Sequence, residues 1–426
     1  MAIADRRVRL VIAALTAACA SASAQQADHA LWSRVQQERA AFVDTLRDLV
    51  SIESGSHDID GLNRLAELIA DRLRRLGGAV ELVTPAEIYR MADSPADIAK
   101  VVVARFTGTG TRRILLLAHM DTVHERGTLA RDPFRVEGGR AHGPGVADDK
   151  HGVALILHVL GVLNAAGFRD YGEVIVLVNG DEEVSSPGSR ALITKLASEV
   201  DAVLSCEGSS GGDRLRLATS GIGAATLTVT GVASHAGSAP EQGRNALYEL
   251  AHQVLQLRDL SDAAAGLTLN WTIARAGSVR NVIPATAHAM GDVRYERAGD
   301  FDRLERRVRE IVANQLVPGT TVEVSFERRR PPLAPTSASR RLAAHAQRIY
   351  AEIGRTLEVE ERPTGGGTDA AFAALGARGP VIEGFGLVGG GAHAADAEWV
   401  DLESIAPRLY LLARLIIDIA RGTAPV

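Results

Sequence analysis

Histidines and carboxylates gather behind the apolar runs of this chain. Ile114–Ala118 leads into His119-Met120-Asp121, Val174–Asn179 into Asp181-Glu182-Glu183, and Val203–Cys206 into Glu207. If these runs are parallel strands of one sheet, their polar groups reach the same edge, where open α/β sheets collect their sites. Two further contributions come from elsewhere. Gly143-Pro144-Gly145-Val146-Ala147-Asp148-Asp149-Lys150 is a glycine-rich turn opening a helix, and Gly390-Gly391-Ala392-His393 supplies a distant histidine. Imidazole and carboxylate donors without a thiolate cluster suit zinc or a similar divalent ion, and so acid-rich a set suits two ions sharing a carboxylate. Such a centre activates water at neutral pH. Alternate strand residues point to one side, so Asp121 can hydrogen-bond back to His119 and fix its tautomer. Asp181-Glu182-Glu183 offers a ligand together with a free carboxylate able to take a proton from water.

The elements that must position these groups are legible as a pattern. Lys100–Phe106, Ile114–Ala118, Glu173–Asn179 and Ala202–Cys206 read as strands, while Gly61–Leu76 and Gly152–Ala166 carry apolar residues at helical spacing. That alternation predicts an α/β fold with a mostly parallel sheet flanked by helices. From about Thr219 the texture changes. Ala224–Thr230, Leu267–Ala274, Ala287–Tyr295 and Thr321–Phe326 read as antiparallel strands, interleaved with helices at Asn245–Leu257 and Asp300–Gln315. Strand-helix-strand-strand-helix-strand is the order of a ferredoxin-like α+β domain. Arg328-Arg329-Arg330-Pro331-Pro332 then reads as a return linker. The Ser339–Ile353 helix, the Gly365-Gly366-Gly367 loop and the Leu402–Ala420 helix complete the first domain. The expected division is therefore a catalytic domain in two parts, residues 25–218 and 331–426, with residues 219–330 inserted.

A chain of 426 residues, 46% hydrophobic and 23% charged, is large enough for two domains with a substantial core. Its net charge of -5 argues against a nucleic-acid partner. Arg6, Arg7 and Arg9, the apolar run Leu10–Ala18 and Ala22-Ser23-Ala24 have the form of a signal peptide over residues 1–24, so export to the periplasm or beyond is expected. Cys19 is poorly spaced for a lipoprotein site. No later run reaches the roughly 18 apolar residues of a membrane span. After cleavage Cys206 would have no intramolecular partner, and it reads as a small buried apolar residue.

Taken in order, Ala118–Val123, Gly143–Lys150, Asp181-Glu182-Glu183, Ser234-His235-Ala236-Gly237, Asn281-Val282-Ile283-Pro284, Asp292-Val293-Arg294-Tyr295 and Thr364–Asp369 resemble the aminoacylase and carboxypeptidase family of di-zinc metallopeptidases, in its glutamate-carboxypeptidase branch. The resemblance covers nearly the whole mature chain. It implies an exopeptidase that removes a C-terminal, glutamate-like residue from N-acyl or peptidyl substrates by metal-activated water. It further implies that His119 and Glu207 hold one zinc, Glu183 and His393 the other, and Asp148 both, with cobalt or manganese as alternative ions. Glu182 would be the general base, and Asp121 would orient His119. The peptide after Asp148 is expected to be cis. The inserted domain would mediate a homodimer and send His235 toward the partner's site as an oxyanion donor. Arg294, Asn281, Gly366 and Gly367 would meet the substrate carboxylate. An N-acyl-amino-acid deacylase is the nearest alternative. A non-catalytic binding protein and a two-metal phosphohydrolase are more distant ones.

Overall fold

The computed structural model describes residues 27–394 and 397–426; the expected export signal lies outside them. Its main sheet contains β1 (Ala79–Val83), β2 (Val101–Thr107), β3 (Arg113–His119), β4 (Glu173–Asn179), β5 (Ala202–Ser205) and a short last strand, Val381–Ile382, in the spatial order β1-β2-β4-β3-β5-last. β4, β3, β5 and the last strand run parallel. β1 and β2 add an antiparallel margin. The sheet is thus mostly parallel, as the alternating pattern predicts.

The continuous apolar runs of β3 and β4 have a physical reason. Ile114, Leu116 and Ala118 enter the core on one face, Leu115 and Leu117 the core on the other. Val174, Val176 and Val178 are likewise opposed by Ile175 and Leu177. A strand covered on both sides has no solvent face and needs no polar alternation. Helices α1 (Ile59–Arg75) and α2 (His151–Ala165) supply part of that cover. α1 buries Leu62, Leu65, Ala66, Ile69 and Leu73, the spacing of a single helical face. Its first turn is capped by Asp58, which accepts from the Gly61 N–H at 3.0 Å, and Arg72, Arg74 and Arg75 lie in its last turn.

A second sheet is built on the other plan. Its strands are β6 (Gly221–Thr230), β7 (Thr268–Ala276), β8 (Thr286–Tyr295) and β9 (Thr321–Arg330), all antiparallel and ordered β7-β8-β6-β9. Along β6, Ala225, Leu227 and Val229 are buried while the residues between them are half-buried. The buried set packs with α3 (Ala246–Leu257) and α4 (Ala298–Val312). Strand order and helix placement are those of a ferredoxin-like α+β unit. The chain then returns through α5 (Ser337–Glu352) and α6 (Ile405–Ala420) to the core beneath the main sheet.

One expectation needs correction. Arg328-Arg329-Arg330 is not linker. β9 continues through all three, with a register irregularity opposite Ile222 and Gly223, and only Pro331 ends it by removing an N–H donor. Arg330 is 3% exposed, and two carboxylates, Glu182 and Asp369, neutralise it. Cys206 is fully buried, as expected of an apolar residue.

Candidate metal centre

His119 is the last residue of β3, and Glu182 and Glu183 follow β4 after one turn. Asp121 ties the two strand ends together. One of its oxygens lies 3.3 Å from His119 Nδ1, and its carboxylate accepts from the backbone N–H groups of Glu182 and Glu183, each at 3.0 Å, and from Ser56 Oγ at 2.8 Å. The expected orienting role of Asp121 therefore has a matching contact, and the same side chain also aims the acidic pair. Asp181 is spent otherwise: it accepts from Gly188 N, Ser189 N and Ser189 Oγ at 2.6–3.1 Å and fixes the turn. That leaves Glu182 and Glu183 as the pair facing the site.

Asp148 stands at the centre. One carboxylate oxygen meets His119 Nε2 at 2.9 Å and the other meets His393 Nε2 at 3.1 Å, while His393 also lies 3.1 Å from Glu183. Ligand atoms of Asp148, Glu183 and His393 all fall within 4.8 Å of one another. The Asp148–Asp149 peptide is cis. Gly145, two residues into the turn that carries Asp148, has φ of 73°, and a β-carbon there would come within 2.4 Å of the Thr122 methyl. Glycine is required on both counts. His393 itself sits at φ 64°, an uncommon conformation for a residue with a β-carbon and one often found at functional sites.

A cavity of about 540 Å³ is lined by Asp148, Glu182, Glu183, Glu207 and His393 together with Arg294, Arg330, Gly366 and Gly367. Arg294 is braced by both oxygens of Asp292 at 2.9 Å and donates to the Gly365 carbonyl at 2.9 Å. His235 and Asn281 are not brought to this cavity within the chain. They share a two-stranded ribbon, Ser234–His235 with Val282–Ile283, and both are solvent-exposed. His235 Nδ1 accepts from the Gly237 and Ser238 N–H groups at 3.1 Å each, which leaves the proton on Nε2, pointing outward as a donor.

The electrostatics favour a cation. Burial pushes the Glu182 carboxyl well above its usual range, with Arg330 pulling it back. Burial raises Glu207 in the same way, reinforced by repulsion from Glu383, Glu182 and Asp148. Hydrogen bonds that the Asp148 and Glu183 carboxylates accept lift His393 to about 10. Glu183 Oε1 is buried without a hydrogen-bond partner, a costly state for a carboxylate oxygen. Two imidazoles and three clustered carboxylates with an orphaned oxygen fit divalent zinc by donor type and by charge.

Three contributors were not legible as such in the sequence. Arg330 lies 2.7 Å from Glu182 Oε1, donates to the Glu182 carbonyl, and lies 3.0 Å from Asp369. Asp369, within the matched Thr364–Asp369 stretch, also accepts from Asn179 Nδ2 at 2.7 Å and thus joins that loop to β4. Glu398, 2% exposed, accepts from the N–H groups of Gly145, Ala147 and Asp148 at 2.8–3.0 Å and meets His124 Nε2 at 2.9 Å. A lone acid five residues after His393 was its only sequence signal.

A mostly parallel sheet whose strand ends carry such a cluster, beside an arginine-bearing cavity, has the form of a metal-dependent hydrolase. The chain belongs to peptidase family M20/M25/M40, whose model matches residues 115–418. It is 44% identical to Carboxypeptidase G2 of Pseudomonas sp. (strain RS-16) over 418 residues, 97% of this chain and 98% of that one. It is 30% identical to succinyl-diaminopimelate desuccinylase of Cereibacter sphaeroides over 324 residues, 70% of this chain and 81% of the relative. In fold it is similar to aminopeptidase PepT of Bacillus cereus, with a TM-score of 0.74 at 20% identity over 90% of this chain and 99% of that one. The metallo-carboxypeptidase Sso-CP2 of Sulfolobus solfataricus gives 0.69 at 16% identity over 89% and 99%.

Proposed function

We propose that the protein is a zinc-dependent carboxypeptidase that hydrolyses the amide joining an acyl or peptidyl group to a C-terminal, glutamate-like residue. The observation that carries this reading is the shared cavity, lined by both a base-bearing acidic cluster and a braced arginine. His119 and Glu207 would hold one zinc ion, Glu183 and His393 a second, and Asp148 both. When bound, the ions supply Lewis-acid polarisation of the amide carbonyl and make water more acidic. Glu182 takes a proton from the attacking water and returns it to the leaving amine nitrogen; its burial suits this two-way role by raising the proton affinity of the carboxylate. Arg330 keeps Glu182 in place, and Asp121 keeps His119 in the tautomer that presents Nε2. Arg294 and the backbone of Gly366 and Gly367 receive the substrate's free carboxylate.

Residues 219–330 act in this reading as an inserted unit that pairs two subunits and places His235 and Asn281 at the neighbouring site. The exposed ribbon that carries both, with an outward His235 Nε2–H, supports it. The likeness to Carboxypeptidase G2 over almost the full length of both chains supports the glutamate preference. The desuccinylase relatives favour a second reading, an N-acyl-amino-acid deacylase with the same centre. Export follows from the form of residues 1–24; among the described residues no helix is long and apolar enough to cross a membrane.

The test is a panel of N-acyl, N-benzoyl and pteroyl amino acids offered to zinc-loaded protein. Glutamate derivatives are expected to be cleaved fastest, with activity lost to a chelator and restored by zinc. A protein with full zinc content that releases no amino acid from any of them would refute the proposal.

A further inference from the structure

Another cavity, of about 660 Å³, has none of the clustered carboxylates in its wall. It lies between two helices packed on the main sheet, Arg190–Ala197 and Ala370–Gly376, and the ends of β8 and β9. Flat apolar groups line it: the rings of Tyr89 and Phe372, and Pro331-Pro332. Tyr89 and Leu375 are 43% and 65% exposed, so the space opens to solvent.

The charge in this wall is one-sided. Arg190, Lys195, Arg328 and Arg330 line it, and no Asp or Glu does so among the described residues. Arg330 is neutralised by Glu182 and Asp369, and Arg328 by Asp302. Arg190 has no such partner. Its guanidinium lies 4.2 Å from the Tyr89 ring centre and 4.7 Å from that of Phe372. Through Nε and Nη2 it donates to the carbonyls of Ser185, Ser186 and Arg329 and to the Met91 sulfur, which leaves Nη1 without an acceptor among the described residues. Burial lowers this guanidinium to about 10, as befits a charge that no carboxylate matches. Lys195, five residues along the same helix, is exposed and forms no ion pair among the described residues.

A cation stacked on aromatic rings and lacking a carboxylate suits an anion with a flat body. We infer that this cavity is a second, non-catalytic binding site for an aromatic carboxylate, whose ring packs on Tyr89 and the two prolines while its carboxylate accepts from Arg190 Nη1. Lys195 adds attraction at longer range. The volume lies within the roughly 300–1,000 Å³ of small-molecule pockets, and a planar body gains ring contacts that an alkyl chain lacks. The site does not depend on the reaction at the metal centre.

The test is calorimetric titration of the zinc-loaded protein with 2-naphthoate, 2-naphthamide and decanoate, in the wild type, Ala191→Trp and Lys195→Glu. Ala191 and Lys195 line this cavity and not the Arg294 one, so binding near the metals would be common to all three proteins. Both positions are exposed, and the variants should melt near the wild type. The wild type should bind 2-naphthoate with a Kd below about 1 mM. Tryptophan should fill the space and weaken binding by about tenfold or more, and the reversed charge of Lys195→Glu by about threefold to tenfold. The amide and decanoate should each bind the wild type at least about threefold more weakly than 2-naphthoate. No binding to the wild type, or unchanged binding to a folded Ala191→Trp protein, would overturn the site. Equal affinity for the amide, or an unchanged Kd in Lys195→Glu, would overturn its assignment to an anion; equal affinity for decanoate would overturn the aromatic body.

Discussion

Single residues at the centre differ in what their loss should do, because some would touch the ions and others only aim. Glu182→Gln deletes proton transfer without deleting a ligand. It should keep the zinc content and lower turnover by about two orders of magnitude or more, checked by metal analysis beside steady-state kinetics. Near-normal turnover at full zinc content would end the base assignment. Glu398→Gln should behave in the opposite way. Its carboxylate accepts three backbone N–H groups and meets His124, and an amide must turn a donor toward at least one of them. The turn carrying Asp148 loosens, and zinc affinity should fall by about 10-fold to 100-fold in a chelator competition, with the metal-free protein still folded. Glu182 was legible because it follows an apolar run in an acidic pair. Glu398 was not, since its partners lie some 250 positions earlier and no local pattern announces a buried carboxylate there. Arg330 misled for a related reason: three arginines before two prolines resemble a return linker until Glu182 and Asp369 are seen to neutralise one of them.

At the scale of elements, the central strands were the most readable parts, because burial on both faces leaves an uninterrupted apolar run. Truncating such a strand should be costly. Leu116 is fully buried in the middle of β3, and Leu116→Ala should lose about 2–5 kcal/mol in denaturant titrations of the metal-free protein. Thr226, half-buried on the outer face of β6, has no comparable cavity to leave, and Thr226→Ala should stay within about 0.5 kcal/mol. Equal losses at both positions would contradict the two-core description. The antiparallel margin of β1 and β2 was beyond the sequence pattern, since periodicity fixes a strand's faces and says nothing of its direction. Likewise β9 overran its expected end at Phe326 by four residues: its last turns are charged, and only pairing with β6 reveals them as strand.

For the whole molecule, the proposed pairing of two subunits would bring the exposed ribbon of His235 and Asn281 to the neighbouring site. Mixing Glu182→Gln with His235→Ala, each strongly impaired alone, should raise activity well above either through mixed dimers, in which one intact acidic cluster meets an intact histidine from the other subunit. His235→Ala alone should lose about 10²-fold to 10³-fold in turnover, the effect of removing one strong oxyanion donor. Proven subunit exchange without recovery would mean that His235 works within its own chain or not at all. The long reach of the centre along the chain has a separate consequence, one of timing. His119, Asp148, Glu183 and Glu207 are made in the first half of synthesis, but His393 and Glu398 emerge only near its end. A partly synthesised chain lacks both the closing histidine and the carboxylate that shapes the Asp148 turn. On the proposed ligand set, the centre is therefore complete only once synthesis is.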